Sequence, residues 1–176
     1  MAGERECGPC SMCCRLLPVA QLDKPADQWC VHARPGRGGC AIYADRPPAC
    51  RSFSCLWLTS PETLPDEELR PDRCHAVFDP RHDKIEVGPP GQRRMVSVLL
   101  VWVDGRYPDA HRAPLLRRVM EAAAEQARTP TIVRIGKRGL LILAPCLSRA
   151  GRWEEIDTNF DAALGAWEDR NLAPKA

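Results

Sequence analysis

The chain has 176 residues with 25 basic and 23 acidic side chains, a formal charge of +2. That balance excludes a bulk electrostatic case for a nucleic-acid or membrane partner. The length suits one ordinary domain, or one with a small appended module, and is enough to bury a core.

The first ten residues, MAGERECGPC, carry acids where a secretory signal has a basic region, and lack its apolar stretch. The sequence therefore points to the cytosol. Residues 1–60 are poor in periodic apolar pattern and rich in Cys, Pro, Gly and Arg. They read as an irregular cysteine-rich module that metal ligation would stabilise in place of a large core. Within it, residues 22–40 read as an irregular loop with a glycine turn at 36–39. Residues 44–58 read as a helix with Asp45 as N-cap and Pro47 and Pro48 in the first turn. Residues 61–75 are a proline-punctuated linker holding one helical turn over Asp66 to Leu69.

Residues 76–176 read as an α+β unit, packed with the module as one compact protein. Two strands flank a turn at Pro80 to Asp83, and MVSVLLVWVD follows as a long central strand. Its apolar run, 95–103, is far short of the ~20 residues a membrane span needs. The next helix sets Leu115, Leu116, Val119, Met120 and Ala123 on one face. A hairpin turning at Lys137 and Arg138 comes next, and a closing helix with Thr158 as N-cap ends the chain. The fold class is thus a mostly antiparallel sheet with helices on one face.

Ten cysteines in a reducing compartment favour metal binding over disulfides. Eight of them, Cys7, Cys10, Cys13, Cys14, Cys30, Cys40, Cys50 and Cys55, fall in the first third. Cys146, in the apolar stretch LLILAPCL, suits a buried hydrophobe. The Cys-x-x-Cys step, which turns two thiolates toward one ion, occurs twice in succession over Cys7, Cys10 and Cys13. That spacing serves structural zinc and iron–sulfur clusters alike. Cys13 and Cys14 are adjacent, and neighbours diverge by about 100° on a helix, so at least one of them serves something other than a shared mononuclear ion. Cys50 and Cys55 lie roughly 140° apart on a helix and cannot share a face unless the helix breaks between them. Eight thiols suggest two four-sulfur sites, or one such site with supporting cysteines.

Four thiolates around zinc or a cubane cluster leave a charge of about −2 that cations and N–H···S bonds must offset. Arg46 and Arg51 are the candidates beside the cofactor, with Arg15 a further one. His32, near Cys30, is a possible nitrogen ligand, and Cys74 with His75 a possible ligand or catalytic pair. His82 and His111 read as exposed.

CGPCSMCC, then WCVH, GCAIYADRPPACRSFSC and LRPDRCHAVF, resemble the YkgJ-like cysteine-cluster family, described as a zinc- or iron-chelating domain. The resemblance covers about residues 7–79 and maps the family's cysteines onto the eight above. Ser11 stands where many relatives carry glycine, which implies a differently wound loop. A related domain in flagellin lysine methylation proteins looks like an iron–sulfur carrier, so the resemblance keeps both zinc and a 4Fe-4S cluster as expected cofactors.

Three functions are open at this level. The first is a structural or carrier metal protein. The second is an iron–sulfur-dependent redox or group-transfer enzyme, with Cys74, His75 and the basic residues Arg93, Arg94, Arg134, Lys137 and Arg138 lining an anion site. The third is a metal-folded adaptor for a protein partner. No glycine-rich phosphate loop, nucleophile elbow or catalytic triad is recognisable. Trp57, Trp102, Trp153 and Trp167 read as core anchors rather than base-stacking platforms.

Overall fold

The computed structural model describes residues 5–87 and 94–158. A five-stranded sheet in the order β1-β2-β3-β4-β5 forms the middle of the molecule. The strands are β1 (Ala76–Val87), β2 (Arg94–Val103), β3 (Thr131–Ile135), β4 (Arg138–Leu143) and β5 (Glu154–Thr158). All neighbours pair antiparallel except β2 and β3. Those two run parallel because helix α5 (Pro114–Ala127) carries the chain back between them. The α+β class expected from sequence is therefore present.

Both faces of the sheet are covered. On one, Phe78, Val101, Val103 and Val133 pack against Leu116 and Met120 of α5 and against Trp57, Leu64 and Leu69 from the connection before β1. On the other, Val77, Leu100, Trp102 and Ile132 pack against Met12, Leu16 and Leu17 at the N-terminal end. Helix α1 (Met12–Leu16) supplies the first two of these. Alternation along β2 explains the split, since Val101 and Val103 point one way and Leu100 and Trp102 the other. A strand covered on both sides reads as the near-continuous apolar run seen in the sequence. The expectation of helices on one face is corrected accordingly: the cysteine-rich segment has few apolar residues of its own and uses the second face of the sheet as its core.

Several local expectations hold and several are revised. The hairpin turns at Gly136 and Lys137 rather than at Lys137 and Arg138: Gly136 is left-handed at φ +56°, and Arg138 already pairs with Ile135 as the first residue of β4. The helical turn after Asp66 is a 3-10 turn at Glu67–Leu69, capped by the Asp66 carboxylate accepting the Glu68 N–H at 2.8 Å. The two strands expected around Pro80 are one strand, β1, with a register shift between Asp79 and Asp83. An edge strand with a bulge is where a proline, lacking its N–H, costs no ladder bond. β2 is second from the edge rather than central. The fully buried residues of α5 are Leu116, Met120 and Ala124. Strand β5 has no sequence signal, because its only apolar residue, Ile156, is 45% exposed and leaves no period. The closing helix lies outside the described residues, and Thr158 ends β5. Among the described residues no helix is long and apolar enough to cross a membrane.

Glu155 ties β5 to the start of α5. It accepts from Arg112 Nη2 at 2.8 Å and from Arg117. His111, expected to be exposed, is buried beside it, with Nδ1 2.9 Å from the Pro108 carbonyl and Nε2 3.5 Å from the Glu155 carboxylate. The Arg112 bond, ahead of the other cations, takes the Glu155 carboxyl from the ordinary 4.5 down to about 2. A carboxyl depressed by folding contributes stability above its unfolded value and loses it as pH falls toward the folded value. Glu155→Gln should therefore cost on the order of 1 kcal/mol at pH 7. The gap from the parent should close between pH 4.5 and about 2 in thermal unfolding. A gap that stays constant across that range contradicts the pairing.

Candidate metal centre

Four stretches of chain carry the eight N-terminal cysteines. The first is a turn at Cys7–Cys10, closed by the Cys10 N–H donating to the Cys7 carbonyl at 2.9 Å and allowed by Gly8 at φ +51°. It runs directly into α1, where Met12 and Leu16, one turn apart, face the sheet. Cys10 and Cys13 pack against that same apolar cluster. Cys14 is rotated about 100° from Cys13, and its carbonyl accepts the Cys30 N–H at 3.0 Å.

The second and third stretches carry Cys30 and Cys40. The Ala33 N–H donates to the Cys30 carbonyl at 3.0 Å, and Ala33 and Cys40 form a β-bridge. The glycine loop before Cys40 lies on the first turn: a Cβ at Gly38 would meet the Gly8 carbonyl oxygen at 2.2 Å. No side chain fits there, so glycine is required for this approach.

The fourth stretch answers the problem posed by Cys50 and Cys55. The expected single helix is two: α2 (Pro48–Ser52) and α3 (Leu56–Thr59), with the backbone extended at Phe53 (φ −94°, ψ 126°). The break lies between the two cysteines, so helical rotation no longer separates them. Cys55 becomes the N-terminal flank of α3, its carbonyl accepting from Leu58 and Thr59. The cap of α2 is Pro47 rather than Asp45.

Electrostatics joins these stretches into one neighbourhood. Burial, then the thiolates of Cys14, Cys30 and Cys40, push the Cys50 thiol up. Burial and Cys7 push Cys55 up. Burial takes Cys10 up to about 12, with Asp72 and Cys55 adding to it. Cys7 is raised by burial and by Cys14. Cys13 and Cys14 act on each other: the hydrogen bond between their side chains raises Cys13 and lowers Cys14. Lys24 and Arg46 lower Cys14 further.

The cations beside the thiols differ in part from those the sequence suggests. Arg46 acts on Cys7, Cys14 and Cys50, with its guanidinium 3.6 Å above the Tyr43 ring. Arg51 is exposed. Arg15 belongs to another network, 3.2 Å from Asp104 and 3.5 Å from Asp27. The second cation is Lys24, which sequence reasoning missed. Its Nζ is buried and donates to the carbonyls of Arg15, Leu17 and Pro25. Thiolates of Cys30, Cys14 and Cys13 partly offset the burial that lowers it. A lone lysine in a proline-rich loop gives no signal of this; only the fold of α1 over it does.

The remaining candidates do not assemble. Cys74 donates to the carbonyls of Leu69 and Ala76 at 3.4 and 3.3 Å, and burial takes it up to about 12. His75 turns away into the left-handed region and stacks on Tyr107, centroids 3.6 Å apart. Cys74 and His75 are thus occupied separately. Arg134 is buried over the Trp102 ring with Nε on the Gly136 carbonyl at 2.8 Å, and Arg138 pairs with Asp157. Trp57 and Trp102 are buried, as core anchors should be. Cys146 is exposed, not the buried hydrophobe expected. The side chains of His82, Arg93 and Arg94, and all of Trp167, lie outside the description.

All ten cysteines are free thiols. In donor chemistry the N-terminal set fits a soft metal: sulfur only, gathered, partly buried, with two cations close by. In spacing it is not a closed coordination sphere, since among the described residues no three His, Cys, Asp or Glu side chains converge closely enough to hold an ion. Metal binding therefore requires the thiols to draw together from these positions. Comparison of the chain with protein-family models, with curated proteins and with solved structures gave no match.

Proposed function

We propose that the N-terminal cysteines bind zinc or an iron–sulfur cluster through thiolates, and that the bound centre serves a structural or carrier role in a reducing compartment. One observation carries this reading: stretches separated in sequence meet, with the Cys30 N–H on the Cys14 carbonyl, the Ala33–Cys40 bridge beside it, Gly38 against Gly8 of the first turn, and Cys55 packed on the same apolar cluster as Cys10 and Cys13. Without a metal, burial keeps most of these thiols protonated. Burial disfavours the thiolates and each raises its neighbours, so a divalent ion or cluster is the partner that would reverse both effects. The resemblance of residues 7–79 to the YkgJ-like family supports the same reading. The enzymatic alternative has less to draw on, since Cys74 and His75 are engaged by separate partners.

Differential alkylation tests the proposal. In the full chain purified without oxygen, the eight N-terminal thiols should react slowly before metal removal and rapidly after it, while Cys146 reacts rapidly in both. Equal rates for Cys146 and the N-terminal thiols before metal removal would sink the reading.

A further inference from the structure

We propose that the loops between Trp29 and Arg51 form a docking surface for single-stranded nucleic acid, with Arg34, Arg37 and Arg51 on its phosphates and the Tyr43 and Trp29 rings against its bases. The surface lies on the cysteine-rich module, and the proposal does not depend on what the thiols hold.

The near-neutral charge of the whole chain conceals this surface. Residues 29–55 carry four arginines, Arg34, Arg37, Arg46 and Arg51, and one acid, Asp45. Residues 60–72 carry five acids and one base. The two segments cancel in the sum, yet screening confines each field to about 10 Å at ordinary salt, so a grouped charge is still felt locally. Pairing sharpens the contrast. In the acidic segment and just after it, Arg70 and Arg73 hold carboxylates at 2.6 and 2.9 Å. Among the described residues none of Arg34, Arg37, Arg46 and Arg51 has a carboxylate partner, and Arg34, Arg37 and Arg51 are exposed. A guanidinium fork matches phosphate oxygens and has no need of a dedicated pocket.

The fold lays these residues side by side. The Ala33–Cys40 bridge, with the Ala41 N–H on the His32 carbonyl at 2.8 Å, sets the two arms of a loop against each other. Arg34 and Arg37 lie at its turn, where the Arg37 N–H donates to the Arg34 carbonyl at 3.1 Å. Beyond it, Arg46 Nε donates to the Tyr43 carbonyl at 3.0 Å, and its guanidinium lies 3.6 Å above the Tyr43 ring. Tyr43 is nevertheless 62% exposed, so the ring keeps a face toward solvent. Trp29, beside the Arg15 guanidinium at 5.7 Å, is 36% exposed.

Exposed rings interleaved with unpaired arginines suit a single strand, since a ring stacks on any base and the cations follow the backbone. A duplex hides its base faces in the stack. An acidic peptide matches the arginines but offers the rings no base, which favours the single strand.

Fluorescence anisotropy of a labelled oligothymidylate of about twenty nucleotides, titrated with the full chain purified without oxygen, tests the proposal. Binding at about 50 mM KCl should weaken steeply toward about 200 mM. Arg34→Gln/Arg37→Gln should weaken it about tenfold or more and flatten the slope of log K against log salt by about 1.4. Tyr43→Ala should weaken it about 5- to 100-fold and leave the slope unchanged. Arg118→Gln, at an exposed arginine of α5, which packs on the first face of the sheet, should bind as the parent does. All these side chains are exposed, so each variant should keep the parent's urea midpoint. The absence of binding with about 100 µM chain at about 50 mM KCl would overturn the proposal. So would equal weakening by Arg118→Gln. Competition by poly-L-glutamate as effective as by unlabelled oligothymidylate at equal charge would also overturn it, and would assign the surface to an acidic protein.

Discussion

Leu16→Ala should destabilise the protein by about 2–5 kcal/mol, read from the midpoint of urea unfolding. Leu16 is 1% exposed and is one of the side chains by which α1 is seated on the second face of the sheet. Its carbonyl also accepts the Asp27 N–H at 3.1 Å, which fixes the loop over the helix. Cys13 and Cys14 lie on the same helix, so the cavity left by the truncation should loosen the thiols as well as the core. The second readout is faster alkylation of Cys13 and Cys14 at unchanged metal concentration. A cost below about 0.5 kcal/mol, as for a surface site, would show that the segment does not use the sheet as its core.

Asp104→Ala should be as costly, by about 3–5 kcal/mol, because it strands a buried cation. Asp104 is 0% exposed. It accepts from Arg106 at 2.7 Å and lies 3.2 Å from Arg15, whose side chain is 12% exposed. With the carboxylate gone, Arg15 keeps Asp27 at 3.5 Å and the Trp29 ring at 5.7 Å. Gly105 leaves room for Asp27: a Cβ there would meet the Asp27 Oδ2 at 2.7 Å, and the carboxylate would have to shift. The network thus pins α1 to the end of β2 and to the loop after Leu22. Replacing Asp104 and Arg15 together, as Asp104→Leu with Arg15→Met, should recover much of the loss, since no unpaired charge remains. Equal unfolding midpoints for Asp104→Ala and the parent would rule out this role for Arg15.

Much of the framework is legible because its cause is local. The apolar run of β2, the amphipathic stripe of α5 and the pair of short apolar segments that form the β3–β4 hairpin each report on near neighbours. What is illegible depends on long-range partners. β5 is a strand because β4 presents a ladder to it, not because its residues alternate. The helix break between Cys50 and Cys55 is posed by helical rotation as a condition, but only the packing of Phe53 and Cys55 on the second face shows that it is met. The crowding of thiols early in the chain is visible in the sequence; which cations lie beside them is not. Arg15 looks like a charge-balancing residue in sequence and is drawn off by Asp104 and Asp27, while Lys24 takes its place through burial beneath α1.

Metal and acid-labile sulfide content of the full chain, purified without oxygen, tests the central claim most directly. The account predicts either zinc without sulfide in a colourless protein, or iron matched by sulfide in a brown one, in both cases lost when Cys10 and Cys50 are replaced by serine. A chain carrying neither metal above trace, with its N-terminal cysteines oxidised in pairs, would contradict it.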